Sequence, residues 1–414
     1  MNAPPAGSAS VRLLTDAELV DGSRLAATGM LGNIDDVSVA GWADTFEAER
    51  SHGAFDSEGT LVGMARWFAT RLSIPGGDVP AAGVTAVAVL PTHRRQGHLS
   101  RLMRAQLDAI RAEQIPVAVL IAAEWPIYGR FGYGPAVDAC GWKLDAAAAR
   151  FREAATGRVE LCTPAELLPH LERVHDLRWA RTPGAVTRAP HTWERAAGVS
   201  GWPGHPFEPG KYRSATWRDA AGEVLGALSY SVEEAWAHNR PNGTAEVRLL
   251  VGATPEAERE LWRHLCDLDW ITAISAGGRG IDDPLPNFLL DARMATQVDR
   301  SDCIWARILD LPAAFAPRRS TMAGQVTVEV DDDLGYAAGT WSITLGPESS
   351  EVAATSASAE VRLSIGALGA AYLGGASLTR LHEAGQLTEL QAGAVARLDA
   401  LLRTTTAPWS PTTY

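Results

Sequence analysis

Apolar positions along the chain switch between helical and strand spacing, and each switch marks a new element. From Thr15 they recur with helical periodicity, whereas Gly53 to Asp56, a turn at Ser57 to Gly59 and the apolar-rich run Leu61 to Leu72 predict a meander of strands. A Pro-Gly-Gly-Asp loop at Pro75 to Asp78 precedes a β-branched strand, Val84 to Leu90, which stops at Pro91. Beyond an arginine-rich turn, Leu99, Leu102, Met103, Leu107 and Ile110 fall on one face of a helix. Pro116 closes that helix, and the run Val117 to Ala122 leads into a glycine-spaced aromatic cluster, Gly129, Phe131, Gly132, Tyr133 and Gly134. The order is strand, helix, strand, loop.

A second unit, from about Ala146 to Arg293, repeats this order. Strands around Tyr212 to Ser231 precede Ala245 to Val251 and a helix from Pro255 to about Leu268. Val84 to Leu107 and Ala245 to Leu268 therefore read as a weak internal repeat, but the second turn, Ala253 to Glu258, has neither glycine nor arginine. The remainder opens with a strand or helix at Ile304 to Leu311. It continues in strands at Val326 to Val330, Trp341 to Leu345 and Val361 to Ile365, then a small-residue helix from Gly366 to Leu373. The chain is predicted to be α+β, in three units. Its Pro-, Ala- and Ser-rich start, to about Ser10, is expected to be disordered, and composition alone would make Thr404 to Tyr414 a frayed tail.

Composition adds exclusions. A chain of 414 residues exceeds what one core serves, and 46% hydrophobic with 21% charged residues describes an ordinary globular protein. No stretch reaches the roughly 18 to 20 apolar residues of a membrane helix, and no basic flank with an apolar run opens the chain, so a cytoplasmic protein without a membrane partner is expected. Cys140, Cys162, Cys266 and Cys303 lie too far apart for a zinc knuckle or redox pair and read as reduced thiols. No His and carboxylate cluster has ligand spacing, so no metal is expected. A net charge of -12 argues against nucleic acid and for a cationic small molecule.

The strongest chemical signal is Val87 to Leu99, where a strand passes through a basic, glycine-containing turn into a helix. Free amides at a helix N-terminus attract an anion, Gly97 permits close approach, and Arg94 and Arg95 add charge, so the turn suits a pyrophosphate. Here the segment resembles motif A of the GNAT superfamily of N-acetyltransferases: Arg94 and Gly97 match, while Leu99 replaces the usual small residue. The runs Pro91-Thr92-His93-Arg94-Arg95 and Ile127 to Ala136 make the whole chain resemble the Eis (enhanced intracellular survival) branch, in which leucine at that position also occurs.

That resemblance implies a catalytic GNAT domain at 1–137, a GNAT-like domain without a cofactor site at 146–293, and a sterol carrier protein-like domain at 294–414, joined by the segment 138–145. It implies acetyl-CoA as donor, held by the backbone of Val87, Ala88 and Val89 and by the turn Arg94, Arg95, Gln96, Gly97, His98 and Leu99. The acceptor it implies is a primary amine of a multi-amine small molecule, an aminoglycoside or polyamine, and the assembly a homohexamer. By the same resemblance Tyr128 is the general acid and the C-terminal carboxylate of Tyr414 the general base, with Tyr in place of the common phenylalanine; Tyr133 is structural.

Ala123-Glu124-Trp125-Pro126 departs from the family's pattern, so the pocket's shape does not carry over. Candidates for its walls are Trp42, Trp67 and Trp125, and for holding a cation Asp35, Asp36 and Glu124. Two rival readings are a protein-lysine acetyltransferase and a lipid- or partner-binding scaffold with vestigial catalysis. The intact turn at Arg94 to Gly97, absent from the second unit, favours catalysis.

Overall fold

The structure, a computed structural model, describes residues 10–412 except 33, 154–155, 180, 202–206 and 209. The tail expected to be disordered, up to residue 9, and the proposed base Tyr414 lie outside the described residues.

The first unit comprises β1 (Ser10–Leu13), α1 (Leu19–Gly29), α2 (Asp36–Ala43), β2 (Ser51–Phe55), β3 (Leu61–Ile74), β4 (Gly77–Val89), α3 (His98–Ala112), β5 (Val117–Ile121), the short α4 (Trp125–Tyr128) and β6 (Gly134–Asp145). The helical stripe behaves as its spacing requires. Leu102, Met103, Leu107 and Ile110 are buried on the sheet, Leu99 only partly.

The second unit comprises β7 (Gly157–Cys162), α5 (Pro164–Trp179), α6 (Pro190–Ala197), β8 (Tyr212–Asp219), β9 (Val224–Glu233), the short pair β10 (Trp236–Ala237) and β11 (Arg240–Pro241), β12 (Gly243–Gly252), α7 (Pro255–Cys266), β13 (Ile271–Arg279), α8 (Leu285–Phe288) and β14 (Ala295–Ile308). The internal repeat is real in space. As β4 precedes α3 and runs parallel to β5, so β12 precedes α7 and runs parallel to β13.

The two units share one twelve-stranded sheet in the order β1-β2-β3-β4-β5-β14-β6-β13-β12-β9-β8-β7. Each lends the other its last strand: β14 pairs with β5 through Ile304–Ile308, and β6 pairs with β13 through Cys140–Asp145. This corrects the expected role of 138–145. The segment lies inside the central sheet, between β14 and β13, and is not a part of the C-terminal sheet. Exchange of final strands leaves no edge at the junction, which is why the two cores form one body.

In the second unit the space beyond the last β12–β13 pair, Val247 with Ala276, is filled from within. Arg279 donates to the Leu250 carbonyl at 2.6 Å and pairs with Asp283 at 2.5 Å, while Glu258 pairs with Arg178 at 2.5 Å. Trp409 lies against both guanidinium groups, 4.9 Å from Arg279 and 5.0 Å from Arg178, and its indole N–H donates to the Gly278 carbonyl at 2.8 Å. The turn that lacks glycine and arginine therefore sits over a plugged cleft.

The third unit packs α9 (Leu311–Phe315), α10 (Ile365–Ala371), α11 (Leu378–Glu383) and α12 (Ala394–Leu402) with β15 (Gly324–Asp331), β16 (Gly339–Leu345), β17 (Ser350–Ala354), β18 (Val361–Ser364) and β19 (Leu387–Glu389), in sheet order β17-β16-β15-β18-β19. Its small-residue helix, α10, lies on β6 and β14 at near backbone contact. A Cβ on Gly134 would stand 1.9 Å from the Gly366 carbonyl oxygen, and one on Gly369 2.5 Å from that of Ala306. Gly134→Ala should therefore overpack this junction, costing about 1–3 kcal/mol and lowering the melting temperature. An unchanged melting temperature would mean that the helix can withdraw without loss.

Candidate active site

The cleft begins where β4 leaves β5. Only Ala81, Ala82 and Gly83 pair with Val117, Ala118 and Val119, and beyond them the two strands diverge. A register shift against β3 between Met64 and Arg66, with Ala86 at φ +52°, kinks β4 there, so Val87, Ala88 and Val89 line the opening. Backbone groups on that side are left for a ligand.

The turn that follows is preset for an anion. Arg95 at φ +64° and Gly97 at φ +80° turn the chain into α3, whose first internal amide bond runs from Arg101 to the Gly97 carbonyl at 3.1 Å. The amides ahead of it have no helical partner and carry the positive end of the helix dipole. Arg101 braces the turn, 3.3 Å from the Gln96 carbonyl and 3.2 Å from the His98 ring, and Arg94 reaches the Gly29 carbonyl at 3.4 Å. Gly97→Val would force a branched side chain into the left-handed region, with Cβ 3.2 Å from Arg101. Strain of about 1–3 kcal/mol should weaken acetyl-CoA binding by about tenfold or more, measurable by calorimetry; unchanged affinity would remove the turn from the donor site.

These elements open onto a cleft of about 1660 Å³. Tyr128, 8% exposed at the end of α4, faces it, and burial, helped by the negative charge of Glu124, pushes its phenol up to about 12. Tyr133 sits behind with ring centroids 6.2 Å apart, wholly in the core, and its hydroxyl has no partner among the described residues.

Of the expected donor residues, Val87, Ala88, Val89, Arg94, Arg95, Gly97, His98 and Leu99 line the cleft; Gln96 is exposed beside it. Of the expected acceptor residues, Trp42 and Glu124 line it and four do not. Asp35 caps α2, accepting from the Ser38 amide at 3.0 Å, and Asp36 pairs with Arg24 at 2.6 Å: at a helix start a carboxylate serves the helix. Trp67 is in the core with Arg50 4.8 Å over its ring, and Trp125 points outward, edge-on to Trp305 at 4.9 Å.

Sequence reasoning missed the far wall, which comes from the second unit. Residues 184–187 continue the end of β3: Leu72 bridges Val186, and Ser73 donates to Ala185 at 2.8 Å. That docking delivers Arg188, His191, Thr192 and Arg195 to the cleft. Arg66 lines it from β3, and Thr412 from the tail. The tail is tied down along its length. Ala407 donates to Asp282 at 2.6 Å, Trp409 to Pro183 at 2.8 Å, and Arg188 donates to the Thr412 hydroxyl at 2.7 Å and to the Pro411 carbonyl.

Family models for an acetyltransferase (GNAT) domain match residues 10–136 and 184–308, and one for a sterol carrier protein domain matches 311–411. An uncharacterized N-acetyltransferase of Streptomyces avermitilis is 37% identical, over 97% of each chain. The N-acetyltransferase Eis of Mycobacterium tuberculosis is 33% identical over 91% of this chain and 92% of its own. The crystal structure of Eis1 from Mycobacterium abscessus superposes with a TM-score of 0.84 at 31% identity, covering 98% of this chain and all of that one. The protein is thus a GNAT-type N-acetyltransferase with acetyl-CoA as acyl donor. Within that superfamily the chain belongs to the Eis family. Among the described residues no helix is long and apolar enough to cross a membrane.

Proposed function

We propose that the chain transfers the acetyl group of acetyl-CoA directly to a primary amine of a small molecule, with Tyr128 as general acid and the terminal carboxylate of Tyr414 as general base. The observation that carries this reading is that Tyr128 is the tyrosine facing the cleft where β4 and β5 part. Acetyl-CoA supplies an activated thioester carbonyl. The amine, once deprotonated, attacks that carbon, the carbon–sulfur bond breaks, and amide and thiol are the products.

Val87 to Val89 would orient the thioester and offer amides to its oxygen, and the turn Arg94 to Leu99 would hold the pyrophosphate. The phenol of Tyr128 gives its proton to the departing sulfur and regains one from solvent. Its depressed acidity keeps it protonated at working pH, as a donor must be. A terminal carboxylate has a reference pKa of about 3.3 to 3.7, so it takes the ammonium proton through water or from a desolvated position. What supports this reading is that the described tail ends at Thr412, buried in the cleft wall.

The multi-amine class, aminoglycoside or polyamine, comes from the family resemblance, and its extra ammonium groups would meet Glu47 and Glu124. Thiol release from acetyl-CoA with polyamines, aminoglycosides and a lysine peptide tests the reading; acetyl-CoA binding with no transfer to any amine would contradict it. The assembly implied by the resemblance is a cytoplasmic homohexamer, for sedimentation to test.

A further inference from the structure

An apolar strip borders the cleft on the side of the first unit. Met30 and Leu31, in the loop between α1 and α2, line the cleft together with Gly41 and Trp42 of α2. Val37 lies one helical turn before Gly41 and shares its face. Leu31 is 89% exposed and Val37 84%, and Met30 is exposed as well. Single exposed apolar residues are ordinary, but a run of them beside a cleft marks a surface that another group covers.

The strip is held in place. The Leu31 amide donates to the Thr28 carbonyl at 3.3 Å and the Gly32 amide to that of Ala27 at 2.8 Å. Arg24 donates to the Ile34 carbonyl at 3.0 Å and pairs with Asp36 at 2.6 Å. Leu31 keeps φ at +59°, a left-handed conformation that Gly or Asn would hold at less cost, yet the position carries a large apolar side chain. The two carboxylates beside it are engaged, Asp35 as the cap of α2 and Asp36 with Arg24, so the strip offers a ligand carbon and not charge.

Its inner end lies at the proposed reacting centre. A Cβ on Gly29 would stand 2.9 Å from that of Ala88, so the end of α1 rests on the part of β4 assigned to the thioester. From there the strip follows the loop out to α2, which carries none of the groups assigned to the donor.

We propose that Met30, Leu31 and Val37 receive an apolar segment of the acceptor, which is an amphipathic amine with an alkyl or aryl portion beside its ammonium groups. Polyamines with long methylene runs or alkyl substituents carry both features, and their further ammonium groups remain for Glu47 and Glu124. The inference deepens, and rests on, the acetyl-transfer reading above.

N-methylputrescine and N-butylputrescine test it, because they share their ammonium groups and differ only in carbon. Transfer from acetyl-CoA by the full chain should favour the butyl compound about tenfold or more in kcat/KM, as burial of the added methylenes requires. The gain should fall on KM, with kcat nearly constant. Leu31→Asn, which suits the left-handed backbone, and Val37→Thr, which keeps the side-chain shape, should each cut the butyl-to-methyl ratio by about half or more. Together they should bring it near one, whereas Leu31→Met should keep it; melting curves report whether each variant is folded.

A native ratio near one overturns the inference while leaving acetyl transfer standing, and so does a ratio that survives in the double variant. If the double variant alters sedimentation but not the ratio, the strip meets a second copy of the chain and the inference fails. It fails too if the variant erases a preference among acetyl-, butyryl- and hexanoyl-CoA in place of one among the amines, because the strip then serves the donor. Without turnover of either amine, a larger melting shift with the butyl compound that Leu31→Asn removes would support it, and equal shifts would overturn it. Failure of acetyl-CoA itself to bind would strike the proposed reaction, and the inference with it.

Discussion

Tyr128→Phe should lower kcat by about 10²-fold or more while leaving the dissociation constant for acetyl-CoA unchanged. The substitution keeps the ring that packs on Tyr133 and removes only the hydroxyl proton. Because the proton moves to sulfur in the transition state and not on binding, the loss falls on kcat and kcat/KM together. The pH profile carries a second signature. A phenol raised to about 12 stays protonated through the neutral and mildly alkaline range, so it imposes no alkaline decline on the native rate there. Unchanged kcat in the variant would assign the donor to another group, and weakened acetyl-CoA binding with unchanged kcat would make Tyr128 a wall.

Extending the chain by a few residues beyond Tyr414 should be about as damaging as losing the Tyr128 hydroxyl, because it moves the proposed base. The described tail explains why little slack is available. Trp409 is 5% exposed and fixed by hydrogen bonds to Pro183 and Gly278, and Thr412 is 2% exposed against Arg188. Added residues must therefore be accommodated beyond this anchor or pull it out. Transfer rates of native and extended protein decide the matter, with acetyl-CoA affinity as the control for folding; full activity in the extended form refutes the base assignment.

Local pattern carried the proposed donor half of the site and tertiary pairing the proposed acceptor half, and the difference is physical. The strand ending at Pro91, the left-handed Gly97 and the amphipathic α3 are contiguous, so spacing alone places an anion-binding turn on a strand and a helix. The far wall depends on residues 184–187 pairing with β3, more than a hundred positions away in sequence, and nothing local distinguishes Arg188 from a loop arginine. Asp35 and Asp36 drew attention as acidic residues near Trp42, yet an N-cap position accounts for the first and Arg24 for the second.

The strand exchange was hidden for a related reason. The segment 138–145 was expected to join the C-terminal domain and Ile304 to Leu311 to open it, and only pairing shows that both lie in the central sheet as exchanged closing strands. Trp409 was legible as an apolar anchor of the tail, but not the place where it anchors. Its place between Arg178 and Arg279 shows that the tail completes the second unit on its way to the first.

Every role assigned above depends on acetyl transfer at the cleft between β4 and β5. Its most direct test measures thiol release and acetylated amine in the same reaction, with acetyl-CoA, a panel of polyamines, aminoglycosides, amino acids and a lysine peptide, and native protein beside Tyr128→Phe. Equal amounts of thiol and acetylated amine are expected with at least one small-molecule acceptor, and a steep fall of both in the variant. Thiol release without an acetylated amine, or transfer undiminished in the variant, would contradict it.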